Sequence, residues 1–156
     1  MKITVTSAVL VGISSLLSFD AIAENDQKVP QVPEPISGYF ERLDTVARTG
    51  STKGDIEKLL SLMTEDVRYV HSNYQANFDL ASWRAAFYRR HDNNGYSEPD
   101  ESCTKITNSI AGRSHYAIEY IQGENKSGTC TPIDGQLKLV IFSLDDEKIQ
   151  RIEELW

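Results

Sequence analysis

Apolar positions along this chain follow two different periods. Ile36, Tyr39, Phe40, Leu43, Val46 and Ala47 recur at the spacing of one helix face, with Glu41, Arg42 and Asp44 outside it. This helix is expected to start at Pro35 or Ile36, since proline suits a first turn, where its missing N–H is not needed. It ends at Thr49-Gly50-Ser51. Thr52 and Asp55 have capping-box spacing, and Ile56, Leu59, Leu60 and Met63 form the apolar face of a second helix. The brief connection makes the pair a helical hairpin. Thr64-Glu65-Asp66 reads as a turn. Val67 to His71 then alternates as a short strand, with Val67, Tyr69 and His71 on one face. Ser72 to Phe78 reads as a polar loop. Asp79 is an N-cap for a third helix, whose buried stripe is Leu80, Trp83 and Phe87 and whose end is Asn93-Asn94-Gly95.

From Cys103 onward the period becomes that of strands. Cys103 to Ala111, Ser114 to Gln122, Thr129 to Pro132, Gln136 to Leu144 and Lys148 to Trp156 read as strands. Gly112-Arg113, Gly123-Glu124-Asn125, Asp134-Gly135 and Asp145-Asp146-Glu147 supply the turns. Meandering strands imply an antiparallel sheet. Helices, a strand and a helix, then a run of strands give an α+β order.

The N-terminus adds a compartment. Lys2, an apolar run from Ala8 to Leu17 and an A-x-A site at Ala21-Ile22-Ala23 read as a secretory signal, with Glu24 the first mature residue. The run is too short to span a bilayer, so no stable membrane insertion is expected after cleavage, and the protein is expected to be periplasmic or secreted. Residues 24–35, with Pro30, Pro33 and Pro35, read as a flexible or extended lead-in to a single domain over residues 36–156. The net charge is −7, and removing Lys2 with Asp20 leaves it unchanged. An acidic domain is a poor partner for nucleic acid, whose phosphates need clustered Lys and Arg. Cys103 and Cys130 are the only cysteines. An even pair in an exported chain suggests a disulfide, with two buried thiols as the alternative.

Three stretches carry a family resemblance. Gly54-Asp55-Ile56 opens a helix that ends in Leu62-Met63-Thr64-Glu65-Asp66-Val67. Phe78-Asp79-Leu80 leads through Trp83 to Phe87. The chain closes on Asp146-Glu147-Lys148-Ile149-Gln150-Arg151-Ile152-Glu153-Glu154-Leu155-Trp156. In this order, over about residues 36–156, they resemble the nuclear transport factor 2-like superfamily, which includes SnoaL-like proteins and ketosteroid isomerases. The resemblance implies three N-terminal helices packed in a curled, mostly antiparallel sheet, a cone-shaped α+β barrel with a largely apolar pocket. It also implies a homodimer formed through the outer sheet face. Fold alone does not set the reaction.

Ketosteroid isomerases keep their general base five residues after an Asp in the helix-to-strand turn. The same count from Asp66 lands on His71, a residue that can take and return a proton near neutrality. The family's second acid falls near Lys138, and its helix-one tyrosine has no clear match because Tyr39 lies too early. Tyr69, Tyr116 and Tyr120 can supply hydroxyls, and Glu119, if it faces the cone, can orient His71. Trp83 and Phe87 are expected as pocket wall, Trp156 as a cap and Arg84 as a cation near the mouth. His71, His91 and His115 match no metal-ligand spacing, and no cofactor motif is present. The leading expectation is an exported domain that binds a small, largely apolar molecule. The alternatives are a cofactor-free isomerase, dehydratase or cyclase with His71 as base, and a dimeric interaction module. A pocket lined by His71 plus a second polar group within hydrogen-bond reach favours an enzyme, a dry, wholly apolar pocket a carrier, and a filled one the module.

Overall fold

The computed structural model describes residues 32–133 and 135–156, so the expected signal segment and most of the expected proline-rich lead-in lie outside the described residues. Helix α1 spans Glu34–Ala47 and begins one residue before the expected Pro35. Helix α2, Lys53–Leu60, carries the full capping box: the Thr52 hydroxyl accepts from the Asp55 N–H, and the Asp55 carboxylate accepts from the Thr52 N–H. Helix α3, Leu80–Asp92, is capped in the same reciprocal way by Asp79 and Ser82. These local signals fix where the helices start.

Seven strands form one curled, open sheet: β1 Met63–His71, β2 Ala76–Phe78, β3 Ser102–Ala111, β4 His115–Lys126, β5 Thr129–Pro132, β6 Lys138–Asp145 and β7 Lys148–Glu154. The order is β2-β1-β7-β6-β4-β3, with β5 on β4. Among the described strands the β1–β7 pairing is parallel and the other pairs are antiparallel. The sheet is therefore a mixed one that does not close into a barrel.

Three readings of the sequence are corrected. Thr64-Glu65-Asp66 is strand rather than turn, because the β1–β7 ladder already begins at Met63 opposite Ile149 and shifts register before Arg68. The polar loop holds a 3-10 turn, Ser72–Tyr74, and the short strand β2, which folds back on Tyr69 to His71. Strand β4 continues through Gly123, because that glycine sits where a Cβ would lie 2.0 Å from the Thr131 carbonyl oxygen. Only a residue without a side chain lets β5 approach so closely.

The sheet curls around the helices. Ile36, Tyr39 and Phe40 of α1, with Ile56 and Leu59 of α2, pack on Ile118, Val140, Phe142, Ile149 and Ile152. Full burial of each such side chain contributes about 1.5–3 kcal/mol. Irregular pairings between Ile106 and Asn108 on β3, and between Ser143 and Leu144 on β6, add bend and twist. Cys103 and Cys130 form a disulfide, with their Cα atoms 6.0 Å apart, that ties β3 to β5.

Candidate functional site

The helices do not fill the cone. Between α1, α3 and the inner sheet face lies a cavity of about 580 Å³. One side of it is aromatic and aliphatic. Tyr69 and Trp83 stack with centroids 4.6 Å apart and planes within 26°, and Phe78 stacks with Tyr69 at 6.2 Å. Phe87, one helical turn beyond Trp83, adds its ring at 5.5 Å. The strand pleat that points Tyr69 inward also points His71 inward, two residues on.

The other side is polar and comes from β4, the end of β7 and Trp156, with Lys138 of β6 behind them. His71 and Glu154 are register partners on the parallel β1–β7 pair. The Glu154 carboxylate accepts two hydrogen bonds on one oxygen, from the Tyr120 hydroxyl at 3.1 Å and the Trp156 indole N–H at 2.6 Å. Lys138 donates to the Gln122 amide oxygen and sets its ammonium 3.8 Å from the centre of the Trp156 ring. That cation–π contact holds the indole in place. Trp156 in turn packs edge-on against His71, with centroids 4.8 Å apart, and Tyr74, itself 6.2 Å from Trp156, adds a second edge-on contact to His71 at 4.4 Å.

Electrostatics follow from this enclosure. Burial pushes the Glu154 carboxyl up from its ordinary value, against the opposing effects of Trp156, Tyr120 and Lys138. Burial, and then the Lys138 charge, hold His71 below the usual histidine value, so the imidazole is neutral at pH 7. Tyr39, Tyr69 and Tyr120 are all raised, first by burial and then by Glu154, and remain protonated hydroxyls. His71 is only 3 % exposed, yet neither ring nitrogen has a hydrogen-bond partner among the described residues. An orphaned polar group of this kind carries a desolvation penalty of about 1–3 kcal/mol.

The structure gathers some of the expected residues and separates others. His71, Tyr69, Trp83, Phe87 and Trp156 line the cavity together. Glu119 does not join them. Tyr120 and Gln122 point into the cavity, so Glu119 lies on the opposite face of β4, and the carboxylate beside His71 is Glu154. Arg84 is also displaced from the mouth: its guanidinium binds the Glu57 carboxylate at 2.9 and 3.2 Å and ties α3 to α2. Tyr116 packs against the core opposite Phe142, outside the cavity lining. His91 bonds the Ser51 carbonyl, and His115 lies exposed at the start of β4. Tyr39, set aside as too early, lines the cavity from α1. Sequence reasoning missed Gln122 and Glu154. Each shares strand parity with a recognised neighbour, Tyr120 and Ile152, and that alternation was the available signal.

Neither a protein-family model nor a curated protein matches this sequence. Solved structures do. One is a protein of ketosteroid isomerase-like fold from Catenulispora acidiphila, in complex with trimethylamine; it is 18 % identical, with a TM-score of 0.51 over 81 % of this chain and 87 % of that one. A candidate polyketide cyclase from Sinorhizobium meliloti is 12 % identical, with a TM-score of 0.51 over 80 % and 95 % of the two chains. A nuclear transport factor 2-like protein of unknown function from Pseudomonas aeruginosa is 17 % identical, with a TM-score of 0.52 over 76 % and 92 %. The chain thus has the cone-shaped α+β fold of the nuclear transport factor 2-like superfamily. At these identities the likeness describes the fold and leaves the chemistry to the site.

Proposed function

We propose that this protein is an exported SnoaL-like domain that binds a small, largely apolar molecule in its cone. The observation that carries the reading is the cavity itself: about 580 Å³, walled by stacked aromatic rings and ending in a few convergent polar groups. Volumes of 300–1,000 Å³ with that division of surface are typical of sites for drug-sized ligands. A cavity of this size also counts against an interaction module with a filled pocket. Exposed Ile110 and Leu155, with Leu139 and Ile141 beside them, support a homodimer through the sheet face turned away from the helices.

One observation favours a second reading, in which the domain is a cofactor-free isomerase, dehydratase or cyclase. His71 is neutral, buried and unbonded within the cavity, as a general base awaiting substrate would be. In that reading the Tyr69 hydroxyl is the hydrogen-bond donor to the substrate.

Native mass spectrometry of the protein recovered from the periplasm or medium tests the main reading. The expected spectrum shows a chain beginning at Glu24, paired with a second copy and carrying a few hundred daltons of retained small molecule. A full-length chain would refute export, a single copy the dimer, and failure to bind any added hydrophobic compound the carrier role.

A further inference from the structure

His71 borders the cavity, yet both of its ring nitrogens are buried and without a hydrogen-bond partner among the described residues. We propose that the Trp156 indole is a gate, hinged just beyond β7 and latched by Glu154 and Lys138, that shuts the His71 imidazole off from the cone. This goes beyond the binding reading above, and it holds whether the cone carries its ligand or converts it.

The closure is made of rings. Tyr74 stands edge-on to His71 at 4.4 Å and Trp156 edge-on to it at 4.8 Å, while Tyr74 and Trp156 lie 6.2 Å from each other. All three residues line the cavity, so the two aromatic rings meet His71 on its cavity side. A molecule inside the cone therefore meets ring carbon at this end and no imidazole nitrogen.

The latch is made of side chains. Trp156 lies two residues beyond Glu154, the last residue of β7. The backbone is held as far as Leu155, whose N–H bonds the Leu139 carbonyl. Beyond that point the indole is held by its N–H, which donates to the Glu154 carboxylate at 2.6 Å, and by the Lys138 ammonium, 3.8 Å from the ring centre. Both latch groups are buried and fixed in turn, Glu154 by the Tyr120 hydroxyl and Lys138 by the Gln122 amide oxygen. The frame thus stays in place while the indole turns about its own side-chain torsions. Trp156 is already partly exposed, and Tyr74 is 70 % exposed, so neither ring has to leave a packed core to move.

The two positions of the gate are balanced against each other. The shut position gains a cation–π contact and a hydrogen bond to a carboxylate. It also leaves one donor and one acceptor of the neutral imidazole unsatisfied in a dry site. Opening gives up the first pair of contacts and returns water to both nitrogens. Opposing contributions of similar size keep the open form as a minor population. His71 can exchange a proton with another molecule only in that form, so the latch decides when the imidazole is available.

Diethyl pyrocarbonate, which acylates a neutral and accessible imidazole nitrogen, reads the gate directly. His71 is held below the usual histidine value by burial and then by Lys138, so slow reaction at pH 7 reports cover and not protonation. His115, exposed at the start of β4, is a standard within the same chain. With sites resolved by peptide mass spectrometry, wild-type His71 is expected to react about 10–1,000-fold more slowly than His115, the range for an open form populated at about 0.1–10 %. Trp156→Ala should speed His71 about tenfold or more and leave His115 unchanged. Trp156→Phe, which keeps a ring over His71 but loses the N–H bond to Glu154, should speed it about fivefold. Wild-type His71 reacting as fast as His115, or too slowly for that range, would overturn the gate, as would an unchanged His71 rate in folded Trp156→Ala. Should Trp156→Ala fail to fold, Trp156→Phe decides, and an unchanged His71 rate there overturns the gate in the same way.

Discussion

Phe142→Ala is expected to destabilise the domain by about 3–5 kcal/mol. Phe142 is fully buried on β6, at the point where the sheet meets α1. Its ring stands edge-on to Tyr39 at 5.2 Å and to Phe40 at 5.8 Å. Those contacts join the two layers of the fold, so truncation leaves a cavity bounded by helix on one side and sheet on the other. Neither layer can collapse into it without moving the whole of α1. Each aromatic pair adds about 0.5–1.5 kcal/mol beyond area burial, and both are lost together. Since domains of this kind have about 5–15 kcal/mol of stability in all, the variant should be marginal at room temperature. Urea unfolding followed by tryptophan fluorescence measures it. A loss below about 1 kcal/mol would mean that the helix–sheet interface is not packed as described.

Removing the Cys103–Cys130 disulfide should cost about 3.5 kcal/mol in the chain-entropy account, given the 27-residue separation of the two cysteines. Much of the effect should be felt at the cavity. Cys103 lies on its lining, and the bond fastens β5 to the sheet just before Ile133, which is 67 % exposed and borders the cavity. Strand β5 pairs only with β4 and over four residues, so without the cross-link little else holds it. Cys103→Ser/Cys130→Ser and the reduced wild type should both unfold at lower urea than the oxidised protein. Coincident unfolding curves in the presence and absence of reductant would contradict the bridge.

The helical half of the fold was readable because its signals are local. The Thr52–Asp55 and Asp79–Ser82 caps span three residues each, and the apolar face of α1 repeats within a single turn. The position of His71 came from the family resemblance, which supplies the count from Asp66, and from the parity shared with Tyr69. Its partner was not readable. Both faces of β4 carry apolar residues, Ile118 and Tyr120 inward and Ile121 outward, so alternation alone did not say which way Glu119 points. Glu154 looked like one more acid in an acidic C-terminal strand. Its role depends on Tyr120, 34 residues away, and on a parallel β1–β7 pairing that joins the first strand to the last. No periodicity within one strand encodes a contact of that range. The same holds for Arg84, which the sequence reading placed near the pocket mouth but whose partner, Glu57, is set by how α3 crosses α2.

That the cone takes up a small molecule is tested most directly by a residue-resolved binding footprint. Amide and indole N–H resonances of the isotopically labelled protein can be followed while indane is added. The expected result is a saturable shift of the Trp83 and Trp156 indole signals and of backbone amides from Tyr69 to His71, all of which border the cavity. Amides of Ile110, Ala117 and Ile141, on the outer sheet face, should stay in place. No saturable shift, or one confined to that outer face, would contradict the assignment of the cone as the binding site.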